Sequence, residues 1–127
     1  MITRAHRFHG HASLPALYRR AHTARGTFMN LKYAPLGKDR PYRLAVVVSR
    51  KVHKSAVVRN VIRRRLYEAV RLREKRFLAS FDLAITVYSD NIATIKYPEL
   101  ETQLQDLFIK AGIMSSDEHA IVNVTGK

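Results

Sequence analysis

Between Arg50 and Arg76 the chain carries eleven lysines and arginines against two acids, Glu68 and Glu74. In the run Ser55-Ala56-Val57-Val58-Arg59-Asn60-Val61-Ile62-Arg63-Arg64-Arg65-Leu66-Tyr67 that charge is laid over helical apolar spacing. On a helical projection Val58, Ile62, Leu66, Ala69, Val70 and Phe77 fall within about 120° of one another, the stripe of a core-facing helix. Asn60, Arg63, Arg64, Tyr67, Arg71 and Lys75 take the opposite side. Solvated helix faces usually intersperse both signs, whereas this one sets only Glu68 and Glu74 against many arginines. The planar, multi-donor guanidinium suits phosphate oxygens, while Asn60 can donate and accept, which suits a ribose 2′-hydroxyl. Arg50, Lys51, His53 and Lys54 precede the helix N-terminus, where unpaired backbone N–H groups and partial positive charge also favour phosphate. The chemistry of these residues is the binding of a polyanion.

Nothing for bond breaking accompanies it. The chain has no Ser-His-Asp order, no paired carboxylates and no Gly-rich phosphate loop, so no catalytic residue is expected. Cysteine is absent, which excludes a disulfide framework, a thiolate zinc site and a cysteine nucleophile and suits a reducing compartment. His6, His9 and His11 cluster without an acid or cysteine to complete a metal site. No metal or other cofactor is expected on the protein, and the histidines fit a flexible arm that touches RNA.

The 127 residues are 46% hydrophobic, enough for one modest core. Their formal net charge of +13 points to nucleic acid or an anionic membrane surface. Residues 1–80 hold 20 basic residues against 3 acids, whereas residues 81–127 hold 3 against 7. Charge confined to one loop and one helix predicts salt-sensitive binding through counterion release. No apolar run approaches the roughly 18 residues of a membrane span, and the N-terminus lacks a secretory apolar stretch. A cytoplasmic protein with no membrane partner is expected.

Aromatic side chains add a second chemistry. Tyr18, Phe28, Tyr33 and Tyr88 are candidates for stacking on unpaired bases, with core packing as the competing role, most strongly for Phe28. Tyr88 shares its strand face with Ala84 and Thr86, the makings of an open groove.

The elements that must position these residues follow from patterning. Residues 1–12 form an extended arm. Ser13 caps a short helix bearing Leu14, Leu17, Tyr18 and Ala21, with Pro15 tolerated in its first turn. Arg25–Ala34 is a strand, 35–41 a loop, and Tyr42–Ser49 a β-branched strand predicted to be central and covered on both faces. These two strands would form an antiparallel hairpin. Ser55 caps the basic helix, which runs to Phe77. Phe81–Tyr88 is a further strand, with Phe81, Leu83, Ile85 and Val87 on one face, and Asp90-Asn91 a turn. Pro98, Leu100, Leu104, Leu107, Phe108 and Ala111 spell a last helix stopped by Gly112. The tail, 115–127, is expected to be disordered. The fold class is α+β in the order α-β-β-(β)-α-β-α, a two-layer sandwich with helices covering a small mixed sheet. Strand 42–49, the basic helix and strand 81–88 form a β-α-β unit if the strands are parallel neighbours.

The pattern Ala56-x-x-Arg59-Asn60-x-Ile62-Arg63-Arg64-x-Leu66, preceded by Leu44-Ala45-Val46-Val47-Val48-Ser49-Arg50-Lys51, closely resembles the signature of the bacterial ribonuclease P protein subunit. Arg7-Phe8, Ser13 to Arg20 and the last helix extend the likeness over most of the chain. The resemblance implies a non-catalytic protein subunit: a catalytic RNA with bound magnesium hydrolyses the phosphodiester at the 5′ end of mature tRNA, and the protein assists. It implies that Arg50, Lys51, Lys54, Arg59, Asn60, Arg63, Arg64, Tyr67 and Arg71 bind that RNA. Leu14, Tyr18, Phe28, Thr86 and Tyr88 would line a cleft for the 5′ leader of precursor tRNA. One protein per RNA and a left-handed crossover through the basic helix are further implications, against the usual right-handed rule. Two positions depart from the pattern. Val61 stands where the family usually has a basic residue, a loss that Arg65 would partly replace, and Leu14 stands where members often have an aromatic. The alternative function is a general RNA-binding or ribosome-associated basic protein without a role in cleavage. A major-groove DNA regulator lacks the second helix of a helix-turn-helix.

Overall fold

Strand β4 (Phe81–Val87) holds the centre of the sheet in the computed structural model, which describes residues 13–37 and 40–115. Around it lie helix α1 (Ser13–Arg20), strands β1 (His22–Arg25), β2 (Met29–Pro35) and β3 (Arg43–Val48), helix α2 (Ala56–Arg71) and helix α3 (Tyr97–Ala111). The sheet order is β1-β2-β4-β3, antiparallel except for β3 beside β4. The β3-α2-β4 segment is therefore the expected β-α-β unit. The expected arm, 1–12, and all of the expected tail except Ser115 lie outside the described residues.

Three strand expectations change. The segment 25–34 is not one strand: β1 and β2 form a hairpin in which the Gly26 N–H donates to the Met29 carbonyl at 3.0 Å. A Cβ on Gly26 would sit 2.8 Å from that same oxygen, so only glycine fits without displacement. The 42–49 strand is an edge, not the centre. Leu44, Val46 and Val48 face the core, while Arg43, Ala45 and Val47 are half-buried on the other side. Valine favours any pleated, half-buried surface, so its run looked like burial on both faces. Nor do β2 and β3 form a hairpin, because β4 pairs with both. Asp82, fully buried within β4, masks that strand's central position.

Helix α2 begins as expected, with the Ser55 hydroxyl accepting from the Val58 N–H at 3.3 Å. It ends at Arg71, short of Phe77, and a 3-10 turn spans Glu74–Arg76. Arg73 closes it: its buried guanidinium donates to the Ala69 carbonyl at 3.2 Å, satisfying one of the helix's last carbonyls, and pairs with Glu101 at 2.6 Å. Phe77, extended, still reaches the core, edge-on to Tyr42 and Phe108. Helix α1 starts at Ser13 itself instead of one residue later. Helix α3 ends on Gly112 at φ 80°, the left-handed cap its sequence predicts.

The main core lies between one sheet face and helices α2 and α3. Ile62, Leu66, Ala69 and Val70 of α2 and Leu100, Leu104, Leu107 and Phe108 of α3 meet Leu31, Leu83, Ile85 and Val87. On the other face α1 packs Leu17 against Ala34 and Ala84, with Leu14 and Ala21 at the margin. This partial third layer leaves the rest of that face uncovered by α1, beyond the two layers expected.

Candidate nucleic-acid interface

The basic face is built outward from the α2 N-terminus. The His53 ring accepts from the Ser55 N–H at 3.0 Å and so shapes the loop. Arg59 leans back to the Ser55 carbonyl at 3.4 Å. Arg63 donates to the Asn60 side-chain oxygen at 2.8 Å and to the Val48 carbonyl at 3.5 Å, which fixes its guanidinium beside the end of β3. Arg50, Lys51, Lys54 and Arg64 are exposed and make no hydrogen bond or ion pair with another described residue. Arg71 pairs with Glu68 at 2.5 Å, one turn back. That hydrogen bond holds the Glu68 carboxyl below its ordinary pKa and raises Arg71 above its own. Tyr67 is half-buried, one part of its ring against the main core.

Other arginines of the same run are committed inside the fold. Arg65 sends one terminal nitrogen to the Ile92 carbonyl and the other to that of Ile95, both at 2.6 Å, with its guanidinium 6.0 Å from the Tyr97 ring centre. It docks α2 onto the 90–95 segment and does not stand in for a cation at Val61. Arg73 is likewise taken up by Glu101, Gln105 and Ala69. Spacing alone missed both roles, because Ile92 and Ile95, which receive Arg65, and Glu101 and Gln105, which receive Arg73, lie about thirty residues away.

A second surface lies on the face that α1 partly covers. Tyr18 is 42% exposed on α1, Leu14 is half-buried beside it, and the Lys32 ammonium stands 5.9 Å from the Tyr18 ring centre. Asn30 and Thr86 are paired across β2 and β4. Tyr88, 47% exposed, continues this face; its hydroxyl donates to the Gly26 carbonyl and lies 3.3 Å from the Asn30 side-chain oxygen. Phe28 differs: its side chain packs against the main core, although its carbonyl accepts from the Tyr88 N–H at 3.0 Å. Leu14, Tyr18, Thr86 and Tyr88 thus share a side, while Phe28 buttresses the turn beneath Tyr88.

Sequence reasoning missed Asn30, Lys32 and above all Asp82. The Asp82 carboxylate is wholly buried and takes two bonds from Arg43, both 2.7 Å, and one from Arg20 at 2.5 Å. The hydrogen bond to Asp82 raises the Arg43 pKa. An acid inside Phe-Asp-Leu-Ala-Ile was the available signal, since a buried charge requires a partner.

Among the described residues no helix is long and apolar enough to cross a membrane, and no three His, Asp or Glu side chains gather as a metal site would need. The family model "Ribonuclease P" matches residues 2–112. The chain is 32% identical over 116 residues to the ribonuclease P protein component of Synechococcus elongatus, covering 89% of this chain and 95% of that relative. A Synechococcus sp. component is 29% identical over 121 residues, or 93% and 90% of the two chains. In fold, the Staphylococcus aureus RNase P protein superposes with a TM-score of 0.75 at 20% identity, over 88% of this chain and 100% of that one. The Thermotoga maritima RNase P protein does so with a TM-score of 0.65 at 18% identity, over 74% and 86%. With the arginine helix in place and the family model spanning almost the whole fold, the chain belongs to the ribonuclease P protein family and is the protein subunit of the ribonucleoprotein endonuclease that processes precursor tRNA.

Proposed function

We propose that this single RNA-binding domain uses two surfaces, one for each RNA it serves. The loop residues Arg50, Lys51 and Lys54 and the outer face of α2, with Arg59, Asn60, Arg63, Arg64, Tyr67 and Arg71, bind the catalytic RNA. Leu14, Tyr18, Thr86 and Tyr88 hold the single-stranded 5′ leader of precursor tRNA, and Phe28 supports Tyr88 from below. The observation that carries this reading is the placement of cations without a partner among the described residues: Arg50, Lys51, Lys54 and Arg64 belong to one loop and one helix. The face bearing Tyr18, Asn30, Thr86 and Tyr88 offers rings, an amide and a hydroxyl, the groups that hold unpaired bases. One protein per RNA, action in the cytoplasm and a left-handed β3-α2-β4 crossover belong to the same reading. Magnesium resides with the RNA. The protein neutralises phosphates and so lowers the magnesium needed for cleavage.

The test is made on the reconstituted holoenzyme. At low magnesium the protein should promote leader release over RNA alone. Arg64→Ala should weaken catalytic-RNA affinity about tenfold and flatten its salt dependence. Tyr88→Ala should mainly erode the preference for precursor over mature tRNA. Equal effects of both substitutions on both ligands would overturn the two-surface reading.

A further inference from the structure

The outer face of α2 is more than a row of charges. Val57, Asn60, Arg63, Arg64 and Tyr67 line a groove that runs about 15 Å along the helix, the axial rise over the ten steps from Val57 to Tyr67. Val57 at one end is 72% exposed. Tyr67 at the other has part of its ring held by the core and makes no hydrogen bond with another described residue. A face that met only phosphates would have no use for an exposed valine and an anchored ring. The rim is cationic and no acid lines it.

We infer that this groove receives an unpaired base of the catalytic RNA, stacked on Tyr67 and flanked by Arg63 and Arg64. The inference rests on the reading of α2 as the catalytic-RNA face and specifies what that face takes. Charge complementarity selects the occupant: the two rim guanidiniums and the neighbouring Arg50, Lys51 and Lys54 favour a group hung from a phosphate backbone. Rigidity supports it as well. Arg63 is held by Asn60 and by the Val48 carbonyl, and Tyr67 by the core, so the walls stand ready before RNA arrives. The Asn60 oxygen is occupied by Arg63, which leaves its amide nitrogen to donate to an acceptor on the base edge. A base with a carbonyl on that edge is favoured.

Base-aromatic stacking is sequence-tolerant and carries no counterion release, so its signature differs from that of a phosphate contact. The experiment measures affinity of the full chain for the catalytic RNA across a salt series. Tyr67→Leu should weaken binding about tenfold with an unchanged salt slope, and Tyr67→Phe should recover most of that loss. Val57→Ser, at an exposed position where folding is not in question, should weaken binding about threefold, again with the slope unchanged. Abasic substitutions at unpaired positions of the RNA complete the cycle. One of them should cost the wild-type protein about tenfold and cost Tyr67→Leu nothing further. If Tyr67→Leu and Val57→Ser bind like wild type, or if no abasic position couples to Tyr67, the groove takes phosphate alone and the inference is overturned. If Arg64→Ala changes neither affinity nor slope, the RNA lies elsewhere and the parent reading fails first.

Discussion

Arg64 and Arg65 are neighbours in sequence with unrelated employment. Arg64→Ala should lower RNA affinity and leave the melting temperature in place, whereas Arg65→Ala should cost about 2–3 kcal/mol of stability, since two hydrogen bonds from a charged group are lost. Thermal melts beside binding curves would separate them. Arg71 is an intermediate case, already paired with Glu68 on the face proposed for the catalytic RNA. Glu68→Gln should release it and tighten catalytic-RNA binding about two- to fivefold, as read from binding isotherms at neutral pH. The Glu68 pKa is lowered by Arg71, so the pair contributes above the unfolded value of about 4.3 and is lost as pH falls through the lower folded one. Wild type should therefore gain affinity relative to Glu68→Gln only in that acid range. Spacing made the arginine face legible, because residues three and four apart share a helix side. It did not show which arginines are already bonded, since carbonyls such as those of Ile92 and Ile95 become neighbours only through the tertiary fold.

At the scale of elements, two junctions place the second surface. The β1–β2 turn is fastened from one side by the Tyr88 hydroxyl on Gly26 and from the other by the Lys110 ammonium, 2.8 Å from the Arg25 carbonyl. Gly26→Ala would push a methyl group against the Met29 oxygen and, at 3.1 Å, the Leu107 side chain. The expected cost is about 1–3 kcal/mol, with a loss of leader discrimination as Tyr88 shifts; a denaturant melt and a precursor-binding assay read the two effects. The other junction is Asp82. Asp82→Asn should destabilise the fold by about 3 kcal/mol in a urea melt, at the low end for a buried pair because Arg20 and Arg43 reach solvent. Helix boundaries were legible at Ser55 and Gly112, where caps act locally. Strand order was not. The valines of β3 satisfy an edge as well as a centre, and the central place of β4 is masked by Asp82, whose arginine partners come from α1 and β3 and are encoded by no local pattern.

For the whole molecule, charge and architecture coincide. The basic loop and α2 present Arg50, Lys51, Lys54 and Arg64 without a partner among the described residues, whereas α3 shows exposed Glu99 and Asp106, so a polyanion nearing that side meets like charge and is steered away. Removing any one of Arg50, Lys51, Lys54 or Arg64 should lower the magnitude of the logarithmic salt slope of RNA binding by about one. The same test on Arg73 should leave the slope alone. Strand β3 joins the two proposed surfaces in a particular way. At its first residue Arg43 grips Asp82, which also holds Arg20 of α1, and at its last the Val48 carbonyl receives Arg63 of α2. Six residues of extended chain, roughly 17 Å from end to end, therefore set the interval between the anchor on the catalytic RNA and the wall beside the leader. On the proposed reading the protein is a gauge: a strand too short to flex fixes how far from its ribozyme the leader must run.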